Sequence, residues 1–230
     1  MDAGAAGALW RPRPRRRLLR HAHRTVRGAA RRLLRRSRLG SAAVRPRPLL
    51  AFPGPPGRTW NVPRRAWHLD GVEGKAWPDY LRIFAMLAPL EARGGGTAFV
   101  TGSHRLAREI IADMYRRSAG SADVRSASVI RQMRRECAWI HGLYDESPAE
   151  ERIERFEKVG GEHRGVSMRV DEMIGQTGDV ILWHPDLLHA TARNCRAQPR
   201  LALNLTVFAT GMTPDWAKAA GAPASGERPR

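Results

Sequence analysis

The chain has 230 residues, 42% of them hydrophobic, with 40 basic against 22 acidic residues, a length that suits one domain with a sizeable core. The charge of +18 is concentrated at one end: residues 1–50 hold fifteen Arg and a single acid (Asp2), whereas residues 51–230 hold 25 basic and 21 acidic residues. The globular part is therefore nearly balanced, which excludes a uniformly basic nucleic-acid-binding domain. Two isolated cysteines (Cys137 and Cys195), no CxxC, no secretory signal and no apolar run of membrane-spanning length give the expectation of a soluble, cytoplasmic protein.

Residues 1–48 read as a segment of their own. Arg11-Pro12-Arg13-Pro14 is extended or disordered. Leu18, Leu19, Ala22, Val26, Ala29, Ala30, Leu33 and Leu34 then recur at helical spacing with Arg on the other face. This segment is either a disordered, solvated tail or a basic amphipathic helix suited to nucleic acid or an anionic membrane. Lys is almost absent (Lys75, Lys158, Lys218), so the Arg content is compositional and counts for little as functional evidence.

The texture changes at residue 49. A turn cluster at 53–57 leads to a strand over 59–70, an apolar strand over 80–90 and a Gly-rich turn at 93–96. A short strand at 97–100 ends at Thr101-Gly102-Ser103-His104. Residues 105–158 read as a helical insertion and 160–165 as a loop; strands follow at 167–170, 180–183 and 201–208, and 211–230 is a disordered tail. Short strands divided by Gly/Pro turns, with helix inserted among them, predict a mainly β domain over 49–210. Its expected form is a double-stranded β-helix, jelly-roll or cupin-like.

His68-Leu69-Asp70 carries the chemistry. In a strand, residues i and i+2 share a face about 6.6 Å apart, so His68 and Asp70 can converge on one ion at metal bonds of about 2 Å. A third ligand must come from elsewhere, and His189 is the natural candidate. Two imidazoles and one carboxylate with open positions form the ligand set of non-haem Fe(II) oxygenases. A second tripeptide, His184-Pro185-Asp186, is set aside because Pro185 breaks strand alternation and no Arg lies in a comparable position. His104, His141 and His163 have no ligand-spaced partner and read as surface or capping residues; His21 and His23 lie in the basic tail. In the last strand Arg200 shares a face with Ala202, Asn204 and Thr206, opposite Leu201, Leu203, Leu205 and Val207. A guanidinium at the end of a small, polar face suits a dicarboxylate.

WHLDG (67–71), GGGTAFVTGSH (94–104), GDVILWHPDLLHATARN (178–194) and PRLALNL (199–205) together resemble the phytanoyl-CoA dioxygenase (PhyH) family of Fe(II)/2-oxoglutarate-dependent oxygenases, over 49–210. The resemblance implies His68, Asp70 and His189 as catalytic metal ligands for Fe(II), and Arg200 with Thr191 as the groups that hold the distal carboxylate of 2-oxoglutarate. It implies a structural turn at Gly102-Ser103-His104. It also implies hydroxylation of a small-molecule substrate by O₂ with release of succinate and CO₂, and Asp70 in place of Gly or Ala favours hydroxylation over halogenation. Family members carry more strand and helix ahead of the HxD tripeptide than residues 49–67 supply, so the expected domain is N-terminally incomplete. The alternatives are a remnant that binds metal only, or a basic protein that docks on nucleic acid or anionic membrane through its tail.

Overall fold

A computed structural model describes residues 47–71, 80–118 and 124–208. Its strands are β1 (Arg47–Ala51), β2 (Tyr80–Met86), β3 (Thr97–Thr101), β4 (Gly161–His163), β5 (Val166–Glu172), β6 (Val180–Trp183), β7 (His189–Thr191) and β8 (Arg200–Phe208). Between β3 and β4 come α1 (Ser103–Arg117), α2 (Ser126–Glu136), α3 (Ala138–Gly142) and α4 (Ala149–Ile153), the last running into a π-helical turn, Glu154–Val159. Every strand pairing is antiparallel, in two four-stranded sheets of order β1-β8-β2-β6 and β4-β5-β3-β7. Two such sheets with helices inserted on one side form the expected cupin-like double-stranded β-helix.

Side-chain alternation explains the layering. Phe99 on β3 joins Phe84, Met86, Trp183 and Ala202 in a core between the sheets, while its neighbours Ala98 and Val100 face the helices. There they pack with Ile110, Ile111, Val129, Met133 and Ile140. Because β3 is buried on both faces, its central residues Ala98, Phe99 and Val100 are continuously apolar rather than alternating.

Several boundaries differ from the sequence expectation. Residues 59–70 are not a strand: they make no ladder, only an isolated bridge from His68 to His189. Pro63 cannot donate to a ladder, and Trp60, Val62 and Trp67 bury as anchors instead. The expected loop at 160–165 is a β4–β5 hairpin. Its two-residue turn, Arg164-Gly165, has φ of 51° and 69°, the left-handed pair that matches strand twist. Arg in place of the usual Asn or Asp hid this turn. The basic segment of 1–46 and the tail of 211–230 lie outside the described residues, and β1 takes Arg47 and Pro48 into the first sheet. Among the described residues, no helix is long and apolar enough to cross a membrane.

One buried cation ties the helices to the segment that leads into His68. Arg152 is 1% exposed and donates to the Asn61 side chain (3.2 Å) and to the carbonyls of Val62 (3.3 Å) and Pro63 (3.1 Å). On the helical side it donates to Gly142 (3.2 Å), Leu143 (2.8 Å) and Asp145 (2.8 Å).

Candidate metal centre

Trp67 and Leu69 bury on the helix side, so alternation turns His68 and Asp70 the other way. Leu188 and Ala190 likewise bury among the helices and leave His189 facing the space between the sheets. The two segments are joined backbone to backbone: His68 N–H donates to His189 O (2.9 Å), and His189 N–H to His68 O (3.1 Å). As a result, one ligand atom each from His68, Asp70 and His189 lies within 4.8 Å of the others. His68 Nε2 is 3.7 Å from Asp70 Oδ1, and His189 Nε2 is 3.8 Å from Asp70 Oδ2.

The imidazoles are oriented for ligation. His68 Nδ1 is 2.8 Å from Ala66 O and His189 Nδ1 is 2.9 Å from Leu187 O. A carbonyl only accepts, so each Nδ1 carries the proton and each Nε2 lone pair is left toward the shared point. Burial, reinforced by the neighbouring His68, pushes the His189 imidazole down to about 4, against an opposing pull from Asp70. His189 is therefore neutral at neutral pH, as metal ligation requires. The donor set fits a divalent transition ion.

The surroundings hold this geometry. Ser103, fully buried, donates to Val100 O (2.6 Å) and accepts from Leu188 N–H (2.8 Å), which pins the residue before His189. Gly102 makes that turn at φ 77°, where a Cβ would meet Ser167 O at 2.2 Å. From α2, the Ser126 hydroxyl donates to Leu69 O (2.9 Å) and accepts from Leu69 N–H (3.2 Å), inside the HxD tripeptide itself. The His184-Pro185-Asp186 tripeptide supports the same segment through its backbone, since Pro185 O accepts from Asp70 N–H (2.9 Å) and Gly71 N–H (3.2 Å). His104, expected to be a surface or capping residue, is half-buried with its ring centroid 5.3 Å from that of His184.

Arg200 is 4% exposed, and among the described residues its side chain makes one hydrogen bond, a long one, 3.5 Å from Nη1 to Thr97 Oγ1. Its Nε has no hydrogen-bond partner, and no carboxylate among the described residues forms an ion pair with it. Burial alone pushes its pKa down. A buried guanidinium left this bare is a standing demand for an anion. Thr191 pairs in register with Thr97 and so shares its face of the sheet, although it is exposed.

Sequence reasoning missed Tyr80 and Arg82 on β2. The Tyr80 hydroxyl donates to Asp70 O, and Arg82 Nη2 lies 2.8 Å from Asp70 Oδ2. Their signal was present: two polar residues at i and i+2 in register with the inward Phe84 and Met86 of an apolar strand.

The neutral imidazoles make stability pH-dependent. The His184 imidazole is pushed down to about 3, first by burial and then by Arg108 and His104. Both folded values lie below the ordinary imidazole value of 6.5, so the unfolded chain takes up these protons first. Stability from these groups is then complete above pH 6.5 and falls as pH drops toward 4. The metal-free protein is expected to lose roughly 2–4 kcal/mol between pH 7 and pH 5. Urea unfolding across that range measures it, and a flat profile would contradict the burial of these rings.

The sequence model of one family, phytanoyl-CoA dioxygenase (PhyH), matches residues 9–202. No curated protein matches the chain. Among solved structures, it is similar to the non-heme alpha ketoglutarate dependent carbocyclase SnoK from nogalamycin biosynthesis, at 19% identity and a TM-score of 0.45, over 86% of this chain and 60% of that one. It is similar to the non-heme alpha ketoglutarate dependent epimerase SnoN from the same biosynthesis, at 18% identity and 0.44, over 85% and 56%. For AviO1 from Streptomyces viridochromogenes Tue57 the figures are 16% and 0.40, over 82% and 59%. The chain thus spans 56–60% of the length of these three proteins.

Proposed function

Because this chain belongs to the phytanoyl-CoA dioxygenase (PhyH) family, we propose that it is an Fe(II)- and 2-oxoglutarate-dependent dioxygenase that hydroxylates a small organic substrate. The observation that carries this reading is the convergence of His68, Asp70 and His189, with both Nδ1 atoms tied to carbonyls. Bound there, the ion and 2-oxoglutarate would supply oxidation of a C–H bond by O₂, with release of succinate and CO₂.

The chain's own residues have distinct roles. His68 and His189 present neutral Nε2 donors and Asp70 presents its carboxylate. Arg200, buried without a counter-charge, takes the distal carboxylate of 2-oxoglutarate, and Thr191 supports it from β7. Trp183 sets its ring edge-on to His189 at 4.4 Å and Phe99 lies 6.1 Å away, so one side of the centre is dry. A cytoplasmic setting suits its two free cysteines.

The test is Fe(II)-dependent conversion of 2-oxoglutarate to succinate under O₂, without added substrate, by wild type and Asp70→Ala. Wild type is expected to turn over slowly, and the variant to lose at least 99% of that rate, about the effect of removing one member of a unit that acts together. Equal turnover by the two proteins would refute the triad. Metal binding without any turnover would instead mark a remnant that only holds the ion.

A further inference from the structure

Asp70 is gripped from β2 at two points. Tyr80 and Arg82 are two residues apart and share a face; the Tyr80 hydroxyl donates to the Asp70 carbonyl, and Arg82 reaches its carboxylate at 2.8 Å. Arg82 is fixed in turn by donating from Nη1 to Thr206 Oγ1 (2.8 Å) on the neighbouring strand, and its guanidinium carbon lies 5.7 Å from the Trp183 ring centroid. The two histidines are held differently, each by a carbonyl two residues earlier in its own segment.

A guanidinium in this place has two opposing effects on an ion bound by Asp70. It selects one carboxylate rotamer out of about three staggered wells, which strengthens binding by a few-fold at most. Arg82 Nη2 lies 2.8 Å from Asp70 Oδ2, so a divalent ion bound by Asp70 would stand about 5 Å from a positive charge, which even at the dielectric of water would weaken binding by roughly tenfold or more. Repulsion wins. With Arg82 present, two neutral imidazoles, one carboxylate and one guanidinium sum to zero, so the metal-loaded centre keeps the full double charge of its ion. Without Arg82 that charge is halved.

Resting on the metal-centre reading above, we propose that Arg82 sets the charge of the centre: it weakens the hold on the metal and strengthens the hold of the loaded centre on an anionic ligand. A dianionic co-substrate is the ligand class this charge favours.

Mn(II) alone is titrated into the full chain and followed by the loss of the free-ion paramagnetic resonance signal. 2-Oxoglutarate is then titrated into the Mn(II)-loaded protein. Arg82→Gln, which keeps a donor toward Asp70 without the charge, is expected to bind Mn(II) several-fold to about tenfold more tightly. Its Mn(II)-loaded form is expected to bind 2-oxoglutarate about three- to tenfold more weakly. Arg82→Lys, which keeps the positive charge, is expected to stay within about threefold of wild type in both titrations. A purely structural Arg82 would give the opposite sign for Mn(II), and weaker Mn(II) binding by folded Arg82→Gln overturns the proposal. So does an Arg82→Lys that behaves like Arg82→Gln, or an unchanged 2-oxoglutarate affinity. Arg82→Met replaces Arg82→Gln if circular dichroism finds the latter unfolded. No Mn(II) binding by wild type would overturn the metal-centre reading itself, a result distinct from all of these.

Discussion

Replacing Arg152 with methionine is expected to destabilise the protein by at least about 4 kcal/mol, a large part of the roughly 5–15 kcal/mol that holds a typical domain together. Methionine fills much of the same volume, so the loss is not one of packing. Five carbonyls and the Asn61 amide oxygen now receive hydrogen bonds from one guanidinium, and three of these bonds, to Gly142, Leu143 and Val62, are buried from water. Each charge-assisted bond contributes about 1.5–3 kcal/mol, and an acceptor left buried and unmade costs about as much again. The six do not add, because removing the cation lets the loops relax together. Burial pushes the Arg152 pKa down, with Arg64 and Arg155 adding to the effect and the Asp145 carboxylate opposing it only in part. Lysine should rescue little, since a point-like ammonium with three donors cannot span acceptors on both sides. Urea unfolding of the three proteins is the measurement; a methionine variant within about 1 kcal/mol of wild type would refute this role. The damage should also reach the metal centre, because residues 61–63 are the approach to His68.

How far the site could be read from sequence depended on the distance over which each residue acts. Asp70 follows His68 by two positions, and that spacing is a local statement about faces, legible without any fold. Arg200 was legible for the same reason, because residues 200–207 of β8 alternate between a small or polar face and an apolar one. Ser126 was not, because its hydroxyl meets Leu69 across 57 residues and nothing about a serine that opens a helix marks it as a support for a tripeptide so far away. Arg152 and Arg82 were hidden by composition. In a chain with 40 basic residues, a buried arginine looks like any other until its burial is known. The strand misread over 59–70 has a different cause. Its apolar residues Trp60, Val62 and Trp67 are real anchors, but they pack as an extended segment stapled by Arg152 and by Trp67 Nε1 to Pro63 O (2.9 Å) rather than in a ladder.

Arg200→Leu is expected to separate co-substrate binding from everything else the protein does. A guanidinium that meets a carboxylate in a buried site contributes about 2–5 kcal/mol, so the affinity of the Mn(II)-loaded protein for 2-oxoglutarate should fall by roughly 30- to several-thousandfold. The affinity for Mn(II) alone should hardly change, since His68, Asp70 and His189 do not contact Arg200 through any ion pair or hydrogen bond among the described residues. The effect on stability is the more telling measurement. Arg200 is 4% exposed, and among the described residues its side chain has one bond at 3.5 Å and an Nε without a hydrogen-bond partner. Leucine removes a poorly compensated buried charge and keeps the methylene packing against its neighbours. Exchanges of this kind are neutral or stabilising by about 1–4 kcal/mol when the apolar replacement packs well. The melting temperature should therefore hold or rise while 2-oxoglutarate binding collapses. A residue kept at the expense of stability and needed for one ligand is there to serve that ligand. If Arg200→Leu instead unfolds the protein, or binds 2-oxoglutarate as wild type does, the guanidinium is part of the scaffold and the dicarboxylate must be held elsewhere.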